Sequence, residues 1–193
     1  MQTTATSTGG RIPLASGARL SVPTPNPAEI RIEDVAYGLA GQYRWGGHSR
    51  PRVTVAEHCI LVERLAAVHD MDVRLRRLAL LHDAAEGLGL GDCLTPVKAL
   101  LPGYRMLEDR FLDAVWKAVG LDPPTAAEAE ILKALDRVAG STERRDLFAD
   151  ARDPAWGNVA QAHPDLRVAG WPPHVAEARY LEAWRRLQAP QTS

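Results

Sequence analysis

The chain has 193 residues, 46% of them hydrophobic, and its 23 Lys and Arg residues against 24 Asp and Glu residues give a formal net charge of -1. This length and apolar content suffice to bury one sizeable core, so we expect a single domain. The balanced charge excludes the sequence-wide basic excess of a nucleic-acid scaffold. Two cysteines, Cys59 and Cys93, are too few for a disulfide framework and indicate reduced thiols.

The beginning of the chain is rich in Thr, Ser, Gly and Pro, which is typical of irregular structure. We expect residues 1–25 to form a loose N-terminal arm with room for a short strand, and residues 26–193 to form the domain. The first residues lack the basic start and apolar core of a signal peptide, and no apolar run is long enough to span a bilayer. A cytoplasmic protein without membrane contact is therefore expected.

Helix start signals recur after this arm. Asn26-Pro27-Ala28-Glu29 offers an N-cap residue followed by a proline at the first helical position. Thr54 with Glu57, and Thr125 with Glu128, have the spacing of a capping box. Asp72 is predicted to cap a helix that leads through apolar residues into His82. Each signal predicts a helix that begins at a defined residue.

The remaining pattern is also helical. Gly120 stands in the usual stop position of a helix that starts near residue 104. Residues 150–170 are rich in Pro, Gly and Asp and are predicted to form a loop, and a last helix is predicted from about 172 to 188. Because we find no repeat and no alternating strand series, the chain is predicted to be an all-α single domain.

Four residues of these helices are candidate metal ligands: His58, His82, Asp83 and Asp136. Asp136 lies among apolar positions at helical spacing, where an ionised carboxylate costs several kcal/mol unless a cation or a metal pairs with it. Two imidazoles and two carboxylates suit one divalent ion such as Mn, Co, Zn or Mg. The alternative is structural: a first-turn histidine, and an aspartate paired with an arginine. Spacing alone leaves both interpretations open, and His69-Asp70, at a predicted helix end, shows that the dipeptide proves little by itself.

The order of these residues adds a resemblance. Ala56-Glu57-His58, then His82-Asp83-Ala84-Ala85-Glu86, then Asp136 resembles the HD-domain phosphohydrolase superfamily. More narrowly, the chain is similar to the branch of 5'-deoxynucleotidases and bacterial or phage-borne deoxynucleotide triphosphohydrolases. Further motifs in the same order are Ile32 to Ala36, Arg44-Trp45-Gly46-Gly47-His48, Gly91-Asp92, Thr95-Pro96-Val97-Lys98, Thr142 to Leu147 and Gly170-Trp171-Pro172-Pro173.

The resemblance implies roles for the motif residues. His58, His82, Asp83 and Asp136 would bind one divalent metal. Glu86 resembles the catalytic glutamate that acts on the water or the leaving group, and Asp92 the aspartate that positions or activates the attacking water. Arg44 and Trp45 resemble the residues that grip the phosphate and check the sugar. The stretch between Glu86 and Asp92 is one residue longer than expected for this branch, and its three glycines provide the freedom to absorb an insertion.

Other polar residues near these motifs have two interpretations each. His48 either contacts phosphate or is a solvent-exposed loop histidine. Lys98 either helps to bind an anionic ligand near a helix N-terminus or is a solvated lysine. The charged run from Glu143 to Asp146 is predicted to form surface or interface pairs.

These expectations describe a metal-dependent phosphohydrolase of deoxynucleotides, with monophosphatase and triphosphohydrolase activities both open. A phosphodiesterase on cyclic or alarmone nucleotides and a non-catalytic nucleotide-binding module are the alternatives. The expected partner is a small-molecule nucleotide rather than a nucleic-acid polymer. A homo-oligomer is expected because proteins that this chain resembles commonly assemble in that way.

Overall fold

The computed structural model describes residues 10–153, 156 and 160–189. Within these residues the chain is mostly helical, which confirms the predicted all-α fold. None of the helices in the described part is long and apolar enough to cross a membrane. The α-helices are α1 (Ile32–Gly41), α2 (Val55–Val68), α3 (Val73–Leu81), α4 (Thr95–Lys98), α5 (Tyr104–Ala118), α6 (Ala126–Leu147) and α7 (Pro173–Gln188).

A β-hairpin precedes the helices. Strands β1 (Arg11–Pro13) and β2 (Arg19–Ser21) pair antiparallel, and Leu20 is fully buried in the main core. The hairpin turn is also tied to α1, because Ser16 donates from its backbone N–H and its Oγ to the buried carboxylate of Asp34 at 2.7 and 2.8 Å. Within the predicted arm, residues 11–21 are thus bound to the helices. The boundary near residue 25 stays a prediction.

Most of the predicted helix starts are formed by the predicted caps. Asp72 accepts a hydrogen bond from the backbone of Leu75, and Thr125 and Glu128 form the complete capping box of α6. Gly120 follows the end of α5 with a positive φ of 68°. The cap at Asn26 opens only a 3-10 turn, Pro27–Glu29, and α1 begins three residues later.

The capping box of α2 is only half formed. Thr54 accepts from the backbone N–H of Glu57 at 3.1 Å, as predicted. The Glu57 carboxylate, however, does not return to Thr54: it accepts the backbone N–H groups of Ala169, Gly170 and Trp171 at 2.8–3.1 Å. Glu57 thereby fixes the segment before α7 against the start of α2.

Helix α2 is the central element, and this places the site. It packs against α1, α3, α6 and α7, and 11 of its 14 residues are buried. A helix covered on all sides carries its polar side chains into the interior, where they need partners. His58, in the first turn of α2, is fully buried for this reason.

The chain after α3 forms a π-helical turn, Glu86–Leu90, which the N–H of Gly91 closes by donating to the carbonyl of Glu86 at 3.1 Å. A π turn holds one residue more than an α-helical turn and often occurs at functional sites. The turn is pressed onto α1, since a Cβ added at Gly38 would lie 1.7 Å from the carbonyl oxygen of Gly87. This turn occupies most of the stretch between Glu86 and Asp92.

Candidate metal centre and substrate cavity

The four predicted ligands converge from three helical segments. His58 lies in α2, His82 and Asp83 follow the last residue of α3, and Asp136 lies in the middle of α6. The Nε2 atom of His58 is 3.2 Å from Nε2 of His82, 3.1 Å from Oδ1 of Asp136 and 3.6 Å from Oδ2 of Asp83. Nε2 of His82 is 3.2 Å from Oδ2 of Asp83 and 3.9 Å from Oδ1 of Asp136.

These separations match the ligand shell of a small cation. Two ligand atoms that each lie about 2.1 Å from one ion are separated by about 3.0 Å in octahedral and about 3.4 Å in tetrahedral geometry. His58, His82 and Asp83 together could hold a metal ion. The second dipeptide, His69-Asp70, is exposed at the end of α2, away from this cluster, as predicted for a helix end.

The other ring nitrogen of each histidine is engaged by an acceptor. Nδ1 of His58 is 2.7 Å from Oε1 of Glu143, and Nδ1 of His82 is 2.8 Å from the carbonyl oxygen of Ala79. A carbonyl and an ionised carboxylate can only accept, so both Nδ1 atoms carry the hydrogen. In its neutral form each ring then presents its Nε2 lone pair to the cluster, which is the tautomer that metal ligation requires.

The charged and polar groups of the cluster are compatible with a bound cation. Burial lowers the pKa of His82, but the adjacent Asp83 carboxylate raises it well above its ordinary value. Burial raises the pKa of Asp83, yet His82, His58 and Arg44 hold it far below its ordinary value. Two Nε2 lone pairs that face each other and two carboxylates repel one another unless protons or a metal ion lie between them. The donor set therefore fits a divalent metal.

Glu143 belongs to this centre, although the charged run from Glu143 to Asp146 is predicted from the sequence to form surface or interface pairs. It lies on α6 and is fully buried. While Oε1 faces His58, Oε2 accepts hydrogen bonds from Nε1 of Trp45 at 3.0 Å and from Nε of Arg44 at 3.5 Å. Burial raises the pKa of Glu143, but Arg44 and His58 lower it below its ordinary value, so the carboxylate is ionised. The surface prediction is wrong for Arg144 as well, which is 6% exposed. Arg145 and Asp146 do form an ion pair, at 2.7 Å.

Arg44 and Trp45 lie beside the cluster, as predicted. Nη1 of Arg44 is 3.3 Å from Oδ1 of Asp92 and 3.9 Å from Oδ2 of Asp83, so its guanidinium links the acidic groups of the site. Trp45 has a φ of 60°, which is strained for a residue with a large side chain. The hydrogen bond from Trp45 to Glu143 holds the indole in this position.

Glu86 and Asp92 face the cluster with free oxygen atoms. Oε2 of Glu86 and Oδ2 of Asp92 are buried and have no hydrogen-bond partner among the described residues. Buried carboxylate oxygens normally have partners, so such pairs of unsatisfied atoms indicate the place of a ligand. Burial and the charge of Asp83 raise the pKa of Glu86 to about 8, although Lys98, with Nζ 3.3 Å from Oε1, opposes this.

One cavity of about 660 Å³ joins these groups, a size typical of small-molecule sites. His48 lines this cavity and is exposed, and Lys98 lines it while also pairing with Glu108 at 2.7 Å. Of the ten predicted site residues, His58 and His82 do not line this cavity. The eight that do are Arg44, Trp45, His48, Asp83, Glu86, Asp92, Lys98 and Asp136.

Comparison with known proteins identifies two relatives. The chain is 42% identical to the uncharacterized protein RCAP_rcc00048 of Rhodobacter capsulatus over 148 residues, which cover 72% of this chain and 74% of that protein. It is 32% identical to the uncharacterized protein YfdR of Escherichia coli over 125 residues, 65% of each chain. No family model matches the chain.

Proposed function

This chain belongs to the family of the uncharacterized Rhodobacter capsulatus protein RCAP_rcc00048, and we propose that it is a divalent-metal-dependent phosphohydrolase of deoxynucleotides. The observation that carries the proposal is the convergence of two imidazoles and two carboxylates beside two unpartnered buried carboxylate oxygens in one cavity. The resemblance of the ordered motifs to HD-domain phosphohydrolases supports the same reaction class.

The proposed metal ligands are His58, His82, Asp83 and Asp136. Bound there, a divalent ion such as Mn, Co, Zn or Mg would acidify water and polarise a phosphoryl oxygen. Four protein ligands leave room for both groups around an ion that prefers six ligands. Asp136, with a side chain 43% exposed, lines the cavity together with Asp83 and would complete the set.

Glu86 and Asp92 are proposed to move the protons. Burial raises the pKa of Glu86, and a proton on its unpartnered Oε2 would be available to the leaving oxygen, as general-acid catalysis requires. Asp92, fixed by Arg44 at 3.3 Å, presents its free Oδ2 as an acceptor for a proton of the attacking water. The two carboxylates thus divide acid and base roles within one cavity.

Positive side chains at the same cavity are proposed to hold the phosphate. Burial lowers the pKa of Lys98, but its hydrogen bond to Glu108 raises it above its ordinary value, so Lys98 is charged. Arg44 offers a planar fork that suits phosphate, although part of it is occupied by Asp92 and Glu143. His48 adds a donor at the edge.

The direct test is phosphate analysis with a panel of deoxynucleotides in Mn²⁺, Co²⁺, Mg²⁺ or Zn²⁺. Orthophosphate released from monophosphates indicates a nucleotidase, and tripolyphosphate from triphosphates indicates a triphosphohydrolase. If the protein binds no divalent metal and hydrolyses no deoxynucleotide in Mn²⁺ or Co²⁺, the proposal is wrong. Metal binding without hydrolysis of any nucleotide would favour the non-catalytic module, and cleavage of cyclic or alarmone nucleotides alone would favour the phosphodiesterase.

Asp136→Ala tests the ligand set. The variant should lose metal and activity while keeping its fold, because Asp136 lies in a capped helix and its side chain is partly exposed. His69→Ala is the matched control, since it alters the exposed dipeptide at the end of α2 and should retain both. Retained metal in Asp136→Ala would show that the fourth ligand is wrongly assigned.

A further inference from the structure

Three aromatic rings line the same cavity as Glu86 and Asp92. They are Trp45, Phe148, which directly follows α6, and Trp156 from the next segment. Their centroids are 5.3–5.8 Å apart, with the ring of Trp45 steeply inclined to both others. Aromatic rings at a nucleotide-sized cavity offer stacking surfaces for a planar heterocycle.

Arg144 lines the same cavity and has no anionic partner among the described residues. Its guanidinium is 5.3 Å from the ring centroid of Trp156, and Nη2 donates to Oγ of Ser141 at 3.3 Å. Among the described residues no carboxylate forms an ion pair with Arg144, although only 6% of the residue is exposed. Arg44, in the same cavity, contacts three carboxylates.

A buried guanidinium without a carboxylate is costly unless it donates to another acceptor. Because Arg144 lines the cavity, a bound ligand is in reach to supply that acceptor. The neighbouring rings favour a flat, aromatic ligand group over a phosphate. A nucleobase whose edge carries a carbonyl oxygen next to a ring nitrogen meets both requirements, since the arginine fork matches the O6 and N7 atoms of guanine.

We propose that Trp45, Phe148, Trp156 and Arg144 form a nucleobase subsite that prefers guanine to adenine. This inference rests on the proposed function: with a phosphoryl group at Asp83 and Asp136, the base would lie against the aromatic rings that line the same cavity. Adenine presents an amino donor where guanine presents O6, so it leaves one donor of Arg144 without an acceptor.

Nucleoside binding tests the subsite, because nucleosides have no phosphate to be cleaved. Titration calorimetry of the full chain, as purified, should show deoxyguanosine binding about fivefold or more tightly than deoxyadenosine. Trp156→Ala should weaken both nucleosides roughly tenfold, since stacking is tolerant of the base. Trp156→Phe should restore most of that affinity.

Arg144→Met separates the preference from the stacking. It should reduce the affinity for deoxyguanosine to that for deoxyadenosine and leave the latter unchanged. The matched control is Arg179→Met, because Arg179 also lies over a tryptophan, at 4.2 Å from the ring centroid of Trp171, but does not line the cavity. It should bind both nucleosides as the wild type does. Thermal melting shows whether each variant is folded.

Equal affinities for the two nucleosides, no nucleoside binding at all, or unchanged binding in Trp156→Ala would overturn the subsite. Deoxynucleotide hydrolysis together with any of these results would leave the proposed function intact. Selective binding of deoxyguanosine without hydrolysis would support the subsite and contradict the proposed function.

Discussion

Replacing Glu143 with glutamine tests whether this buried carboxylate positions His58 for metal binding. In the wild type, Oε1 accepts from Nδ1 of His58 at 2.7 Å, while Oε2 accepts from Trp45 and Arg44. An amide has one acceptor oxygen and one donor nitrogen. If the amide oxygen faces His58, the NH₂ group faces the N–H donors of Trp45 and Arg44. In the reverse orientation, the NH₂ group faces the Nδ1–H of His58.

Either orientation of the amide in Glu143→Gln removes a hydrogen bond in a fully buried place. Loss of a carboxylate that orients a ligating histidine typically lowers metal affinity 10–100-fold, or about 1.4–2.8 kcal/mol. We therefore expect the Kd for Co²⁺ to rise at least about tenfold in Glu143→Gln, measured by the visible absorption of bound cobalt. The unsatisfied donors should also lower the free energy of unfolding by about 1–3 kcal/mol.

Glu63→Gln is the matched control for this variant. Glu63 is also fully buried, lies on α2 like His58, and pairs with Arg76 and Arg186 rather than with a site residue. It should lose comparable stability yet bind Co²⁺ with the wild-type affinity. If Glu143→Gln also binds Co²⁺ with unchanged affinity, the proposed positioning of His58 by Glu143 is refuted.

Three further predictions concern stability, pH and assembly. Gly38→Ala should destabilise the fold by about 1–3 kcal/mol in denaturant titration because its Cβ meets the backbone of Gly87, whereas Gly41→Ala, with open space around it, should not. Hydrogen bonds from Arg74 and from the backbone N–H of Thr125 lower the pKa of Glu128 from 4.5 to about 2. Because folding favours the ionised carboxylate, Glu128 adds to the free energy of unfolding above pH 4.5, and this contribution is lost as the pH falls towards 2. Urea titrations should thus separate Glu128→Gln from wild type at pH 6 but not at about pH 2. If the expected homo-oligomer uses the exposed apolar residues Val97, Leu100 and Met106, Leu100→Glu should be monomeric by light scattering, and an unchanged mass would exclude Leu100 from the interface.

The sequence predicted the features that depend on near neighbours in the chain. Asp72 and Thr125 cap their helices because the N–H groups that they bind lie three residues away. Glu57 behaves differently, since its carboxylate binds backbone donors 112–114 residues further along. Capping patterns contain no information about such distant donors, so the second half of this box was not predictable.

The four candidate metal ligands were predictable from the sequence, but the role of their neighbour Glu143 was not. Glu143 lies seven residues after Asp136, which is two helical turns on the same face of α6. That spacing was the available signal, and the adjacent Arg144, Arg145 and Asp146 obscured it by suggesting a solvated charged run. Only the packing of α2 against α6 shows that this face is buried.

The charges around the centre support the proposed divalent cation. The carboxylates of Asp83, Asp92 and Glu143 surround the guanidinium of Arg44, and Asp136 adds a fourth negative group beside His58. One guanidinium cannot balance these carboxylates, three of which have side chains no more than 17% exposed, and uncompensated buried charge costs several kcal/mol. His58 and His82 compensate in part, since the nearby carboxylates outweigh burial and raise the pKa of both rings. A divalent ion that binds the two Nε2 atoms would supply the missing charge and displace those protons, so metal affinity should fall as the pH is lowered.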